Sequence, residues 1–322
     1  MLKVKEFNYL STNIILLVSV VFAILVGSGF YGYGHDFYEA YSKPNLNWGG
    51  LFDRLGYRIS TYTIDEYHIG VHLVTFILTL SSGFLIREHI KFKQSYSLIF
   101  FLLLYIIAIH TWPIIMSTSN AMRQGLSMSF IFMTMIAASR KNFYWMITFS
   151  MLAIFTHKTG ILLVLIIYFA IILNKLFNNY SFKNKLIVNT SIGFFALIAS
   201  YYGLGLVGFI LAGDEASRII SGDFRLPFAL ISLIYIGLSF FYKNILNNSF
   251  NLSMYYFSFI SLAFLLNGLN WQYERLGMMM LIPYILSYGI LLNRFSYKIY
   301  LTLTLIALIL LTIITGMYDA LK

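Results

Sequence analysis

Three short stretches place basic side chains at the ends of long apolar runs, and each has residue types suited to holding an anion. Arg123 lies in Ser119-Asn120-Ala121-Met122-Arg123-Gln124-Gly125. His157 and Lys158 lie in Phe155-Thr156-His157-Lys158-Thr159-Gly160, and Arg275 lies in Gln272-Tyr273-Glu274-Arg275-Leu276-Gly277. A charge within a membrane domain costs roughly 2.5–3.5 kcal/mol or more unless it is paired or wetted, so such residues mark functional candidates. Arg123 falls at the expected start of a helix, where unpaired backbone N–H groups and the helix dipole favour an anion. A guanidinium added there can grip two phosphate oxygens at once. Ser117, Ser119 and Asn120 stand close enough in sequence to cap that helix or donate to the same anion. The competing reading is an arginine that snorkels to the interface beside a polar turn. His157 suits a base near neutral pH or a donor to phosphate, against a plain interfacial turn. Arg275 suits the same anion chemistry, against a structural pair with Glu274.

Other chemistries find little support. The chain has no cysteine and no Asp-x-Asp element, so thiolate and metal chemistry are not expected. Its glycine-rich stretches do not match a phosphate-binding P-loop. His110, in His-Thr-Trp-Pro, reads as an interfacial residue before a break at Pro113, and Met278–Met280 as packing.

The elements that position these residues follow from composition. Of 322 residues, 59% are hydrophobic and 11% charged, against about 25% charged in soluble domains. Apolar runs of spanning length recur at 10–28, 68–86, 96–113, 122–138, 143–156, 159–174, 186–202, 226–242, 253–269, 275–292 and 299–316. The expectation is an all-α, polytopic integral membrane protein with about 11 transmembrane helices (10–12), forming a single transmembrane domain over 1–322. The runs are continuously apolar and do not alternate, which excludes a β-barrel. The apolar run from Ile14 to Val26, preceded by Lys3 and Lys5, reads as a retained first helix.

With the N-terminus inside, the inner segments hold 13 of the 22 Lys and Arg and two of the 12 acids, a balance of +11 inside and −1 outside. This follows the positive-inside rule and explains the net charge of +10 without nucleic acid. Two long outer loops are expected, at about 29–67 and 203–226. In the first, Leu51, Phe52, Leu55, Ile59 and Tyr62 fall near helical spacing and predict an amphipathic surface helix. The second carries five glycines with Asp214, Glu215 and Asp223. Arg123, His157 with Lys158, and Arg275 are all expected on the side of these loops.

The stretch Asn120-Ala-Met-Arg123-Gln124-Gly125-Leu126, then Arg140-Lys141, then Phe155-Thr-His157-Lys158-Thr159, resembles the EpsG family of Wzy-like polysaccharide polymerases. That family shows an N-x-hydrophobic-R-Q element followed, one helical hairpin later, by F-H-K-S/T. Gly34-His-Asp36-Phe-Tyr38-Glu39-Ala-Tyr41 is similar to the family's G-x-D-x-x-x-Y segment, and Glu274-Arg275 to its E-R element. The chain departs at Trp48-Gly49-Gly50-Leu51-Phe52, where many members carry aromatic-Glu-Pro; glycine stands at the Glu position, so no base role transfers there.

The resemblance implies a GT-C-like architecture with a long first extracytoplasmic loop, in a bacterial cytoplasmic membrane, with the N-terminus cytoplasmic. It implies joining of undecaprenyl-diphosphate-linked oligosaccharides, donor and acceptor, at the outer face, as in exopolysaccharide, capsule or O-antigen synthesis. Neither metal, cofactor nor nucleotide sugar would be needed. Membrane lipid would surround the chain, and a chain-length regulator or flippase of the same pathway would be a partner. Arg123, Arg275 and Lys158 would hold the diphosphate. His157, Asp36 or Glu39 would serve as the base, and Asn120, Gln124, Tyr38, Tyr41 and Trp48 would meet the substrate. A lipid-linked glycan ligase shares nearly all these features. A flippase or transporter would show a charged path at mid-membrane, whereas the predicted spans are nearly free of charge inside. A purely structural subunit would have no evident use for the basic sites.

Overall fold

A computed structural model describes residues 4–33, 37–42, 51–64, 67–89, 97–212, 225–268 and 270–291. Among the described residues the chain is helical, with one isolated bridge between Ile64 and Tyr67. In chain order the helices are α1 (Val4–Gly27), α2 (Arg54–Ser60), α3 (Ile69–His89), α4 (Ser97–Ile109), α5 (Trp112–Ser119), α6 (Met122–Ser139), α7 (Phe143–Thr156), α8 (Thr159–Leu176), α9 (Phe182–Ala212), α10 (Arg225–Leu238), α11 (Asn244–Asn247), α12 (Ser249–Leu266) and α13 (Asn270–Leu291), with a π-helical turn at Phe37–Tyr41. Ten of the eleven apolar runs are helical, and the last, 299–316, lies outside the described residues. Five described helices are long and apolar enough to cross a membrane, or six if α4 and α5 form one bent span. The protein is membrane-embedded by this measure.

Two elements differ from expectation, each for a physical reason. The run at 96–113 does not end there: it breaks at Thr111, whose backbone is extended, and resumes as α5, bent by 53°. Pro113 has no N–H to donate to the preceding turn and fits the first turn of a new helix. Helix α9 continues to Ala212, so Gly203, Gly205 and Gly208 are helical, not part of a loop. The expected first-loop helix forms as α2, with Gly56, Tyr57 and Ser60 buried. Of the expected stripe, Leu55 and Ile59 on the helix are half-buried, while Leu51, Phe52 and Tyr62 flank it and are exposed at 64%, 43% and 50%.

The described chain divides into two compact units, one reaching Val164 and the other comprising Leu165–Leu291; the boundary falls within α8. In the first, α3 packs against α1, α2, α4, α5 and α6. Its buried face mixes Val71, Val74, Leu78 and Leu85 with Thr75, Thr79, Ser81 and Ser82, the small residues that let membrane helices approach closely. Tyr105 from α4 donates to the Thr79 carbonyl at 3.0 Å and meets Ser19 at 2.9 Å. Charges separate to opposite ends of this unit. At one end Glu88 takes two hydrogen bonds from Arg140 and one from Ser139, and Arg87 donates to Thr12 at 2.6 Å. At the other end lie Asp53 and Arg123.

The second unit packs α9 on α12, and α12 on α10 and α13. A buried polar ladder links its helices. Tyr284 bonds Ser258 at 2.6 Å, Ser287 donates to Asn251 at 2.8 Å, and Tyr235 bonds Ser287 and the Asn251 carbonyl. Such bonds between apolar helices contribute about 0.6–1.7 kcal/mol each.

Candidate functional site

The site grows from the head of α6. Its N-cap is Ala121, whose side chain has no acceptor to offer the first turn. Gly125 allows this head to sit close to α5: a Cβ there would lie 2.3 Å from the Ser117 carbonyl oxygen. Arg123, one residue into the helix, projects toward the first loop.

Three side chains of that loop receive it. Asp53 pairs with Nη1 of Arg123 at 3.1 Å. The Tyr57 ring covers the guanidinium, with its central carbon 3.8 Å from the ring centre, a contact worth about 2 kcal/mol or more when desolvated. Tyr41, from the π-helical turn, accepts a hydrogen bond from the guanidinium and packs against Tyr57 at 6.2 Å. The pair is largely shielded, with side-chain exposures of 18% for Arg123 and 19% for Asp53.

Helix α2 also links Arg123 to the His157 segment. A Cβ at Gly56 would lie 2.3 Å from the Thr156 carbonyl oxygen and 3.0 Å from Cγ of Arg123. Only a residue without a side chain lets the α2 backbone touch both. Phe52 stacks on Phe155 at 6.3 Å and 13°. Gly70 lets the other end of α2 meet the start of α3, since a Cβ there would stand 2.2 Å from the Ser60 carbonyl oxygen. Close to His157, Ser127 donates to the Ala153 carbonyl at 3.1 Å, and Gly160 fits against the same carbonyl.

His157 is buried, at 4% exposure. Its Nδ1 accepts from the Thr159 backbone N–H at 3.3 Å and lies 2.7 Å from the Thr159 hydroxyl. The ring therefore caps the first turn of α8, and an accepting Nδ1 places the neutral ring's proton on Nε2. In this tautomer the ring's N–H is at Nε2. Lys158, next in the turn, is exposed.

The remaining expected site residues divide by position. Tyr41 and Gln124 are buried, Asn120 is half-buried, and Tyr38 and Glu39 are exposed on the π-helical turn. Asp36 and Trp48 lie outside the described residues. Arg275 belongs to the second unit, early in α13. Outside the expected set, His110 bonds Tyr31 at 3.0 Å and the Ile106 carbonyl at 2.7 Å, a settled structural role. Tyr33 donates to the Gly27 carbonyl at 2.6 Å, and burial, reinforced by Tyr38, pushes its phenol above the ordinary value.

No family model, curated protein or solved structure matches the chain. The site is thus read from its own chemistry. Its shielded cation at a helix head, flanked by tyrosines and by a histidine-bearing turn, can stabilise an anion or a departing phosphate. Among the described residues no group of three or more acids, histidines or cysteines could hold a metal ion.

Sequence reasoning did not single out Asp53 or Tyr57. Their signal was spacing: in Asp53-Arg-Leu-Gly56-Tyr57 the acid, the glycine and the ring fall at i, i+3 and i+4, on one face of a helix.

Proposed function

We propose that this chain is a polysaccharide polymerase that joins undecaprenyl-diphosphate-linked oligosaccharides at the outer face of a bacterial cytoplasmic membrane. In this reading it has about eleven spans in a GT-C-like arrangement, with a cytoplasmic N-terminus. One observation carries the reading. Three stretches that resemble the EpsG family meet at one place in the first unit: Tyr41 and Thr156 both lie at the α2–Arg123 cluster, Tyr41 through its hydrogen bond and Thr156 through Gly56.

In the proposed reaction a hydroxyl of the acceptor glycan attacks the anomeric carbon of the donor. The bond from that carbon to the diphosphate oxygen breaks, and undecaprenyl diphosphate leaves. Arg123 stabilises the charge developing on the leaving group, aided by the α6 head and by the exposed Lys158. His157, with its proton on Nε2, donates to an oxygen of the same group. The acceptor proton then passes to a first-loop carboxylate, Asp36 or Glu39. Tyr38 offers an open ring to a sugar face.

The test is reconstitution. Purified protein in nanodiscs receives a synthetic lipid-linked repeat unit and no nucleotide sugar, and products are resolved by mass spectrometry. Glycans lengthened by whole repeat units are expected, with release of undecaprenyl diphosphate. Transfer only to an added non-identical acceptor would identify a ligase instead.

A further inference from the structure

Asp53 stands at the N-cap of α2, where a carboxylate ordinarily accepts from its own helix. It makes no such bond. Its carboxylate turns instead to Arg123, and among the described residues its Oδ1 has no hydrogen bond besides that ion pair.

The surroundings of the guanidinium limit how a second anion can reach it. One face is covered by Tyr57. Nε is fully shielded and, among the described residues, has no acceptor, so the side-on fork is closed. The end-on fork of the two terminal nitrogens, one of which also donates to Tyr41, is left for a bidentate phosphate contact. Asp53 holds Nη1 of that fork. A phosphate oxygen and the Asp53 carboxylate therefore compete for one position. Two anions sharing one largely desolvated cation repel each other strongly.

We propose that Asp53 is a resident counterion that an incoming lipid-linked diphosphate displaces from Arg123, freeing the N-terminal end of α2 from the head of α6. This rests on the polymerase reading for the identity of the diphosphate. Displacement is local, because the far end of α2 stays seated through Ser60 and Gly70. The first loop thereby registers whether the donor's diphosphate is bound. A purely structural ion pair predicts the opposite sign: removing the carboxylate would loosen the loop and weaken binding.

The experiment measures binding of undecaprenyl diphosphate to the full chain in phosphatidylcholine nanodiscs. Asp53→Asn is expected to bind it about tenfold more tightly than wild type. In an Arg123→Ala background the same change is expected to have no effect, because the cation being contested is gone. Asp53→Glu keeps the competing charge and is expected within about threefold of wild type, which separates charge from damage to the loop. Unchanged or weaker binding by Asp53→Asn, with a melting temperature near wild type, would overturn the proposal. If Asn fails to fold, Glu and wild type are compared with spin labels at the exposed positions Arg54, at the released end of α2, and Met151 on α7: a distance that does not change on adding undecaprenyl diphosphate overturns it equally. Discs containing phosphatidylglycerol form the control, and an equal shift with that lipid would assign the displacement to a bulk headgroup and refute the donor-specific role. Tighter binding without glycan extension would sink the polymerase reading and leave the counterion standing. Extension with unaltered Asp53→Asn affinity would do the reverse.

Discussion

Arg123 is held by shape as much as by charge: a ring covers its face, Asp53 meets one nitrogen and Tyr41 accepts from it. Lysine keeps the charge but loses the planar fork. Arg123→Ala is expected to lower glycan formed per folded molecule by about 10²–10³, and Arg123→Lys by somewhat less. Alanine also leaves Asp53 shielded and unpaired, so its melting temperature in detergent should fall, whereas lysine should spare much of it. Wild-type turnover by Arg123→Ala would make the residue a structural anchor. At His157 two roles are superimposed, the α8 cap and the Nε2–H donor. Asparagine can accept from the Thr159 N–H in place of Nδ1 but has no imidazole. His157→Asn should therefore fold like wild type and lose about 10² in rate, while His157→Ala loses stability as well. Equal rates for Asn and wild type would reduce the histidine to a cap. Arg123 and His157 were legible in the sequence because isolated charge in an apolar chain is conspicuous. Asp53 and Tyr57 were not, because one acid among several in a loop acquires meaning only when folding selects its partner.

Among the elements, α2 shows why a short helix can matter more than its length implies. Seven residues in isolation would not hold a helical form. This one is fixed from outside, by backbone contact at Gly56 and Gly70 and by ring contacts at Phe52 and Tyr57. A methyl at position 56 has nowhere to go, since the facing atoms include a carbonyl oxygen. Gly56→Ala is expected to destabilise the first unit by about 1–3 kcal/mol and to abolish most activity, read from thermal unfolding in detergent and glycan extension. A fully active, equally stable variant would show that α2 does not occupy this seat during turnover. The sequence pointed to a surface helix here, but its apolar spacing did not reveal that Gly56, Tyr57 and Ser60 would be the residues it buries. Hydrophobic periodicity assumes that the core is apolar and the outside is water. Beside a membrane surface the face with glycine can turn in. The break before α5 was legible from Pro113, whereas the continuation of α9 was hidden, because glycines that signal loops in water are tolerated in membrane helices.

At the scale of the whole molecule, the first unit sorts its charge by end: Arg87, Glu88 and Arg140 at one, Asp53 and Arg123 at the other. The positive-inside count expects the first group in the cytoplasm. The native chain has no cysteine, so single introduced cysteines report cleanly. In inverted and right-side-out vesicles, Lys141→Cys should react with an impermeant maleimide only from the cytoplasmic side, and Lys158→Cys only from the other. The reverse pattern would move the site away from the outer face and end the polymerase reading. The helical class and most helix positions could be read from apolar runs alone. How distant runs associate could not, because lipid-facing and buried apolar residues look alike in composition.

The length of α9 has a consequence for the bilayer itself. Its 31 residues make a rod of about 46 Å at about 1.5 Å per residue. A typical hydrocarbon layer is about 30 Å thick. Its charged side chains, Lys183 and Lys185, lie in the first turn with Asn184, whereas every residue from Leu204 to Ala212 is apolar or glycine. The first turn therefore belongs in the headgroups, and the long apolar remainder fits the acyl layer only by leaning. Thicker membranes would let this helix stand more upright and thinner ones would tilt it further. Its tilt, measured by solid-state NMR in aligned bilayers, should accordingly be greater in short-chain lipids than in long-chain ones. A tilt indifferent to acyl length would mean that the helix bends along its length instead of leaning.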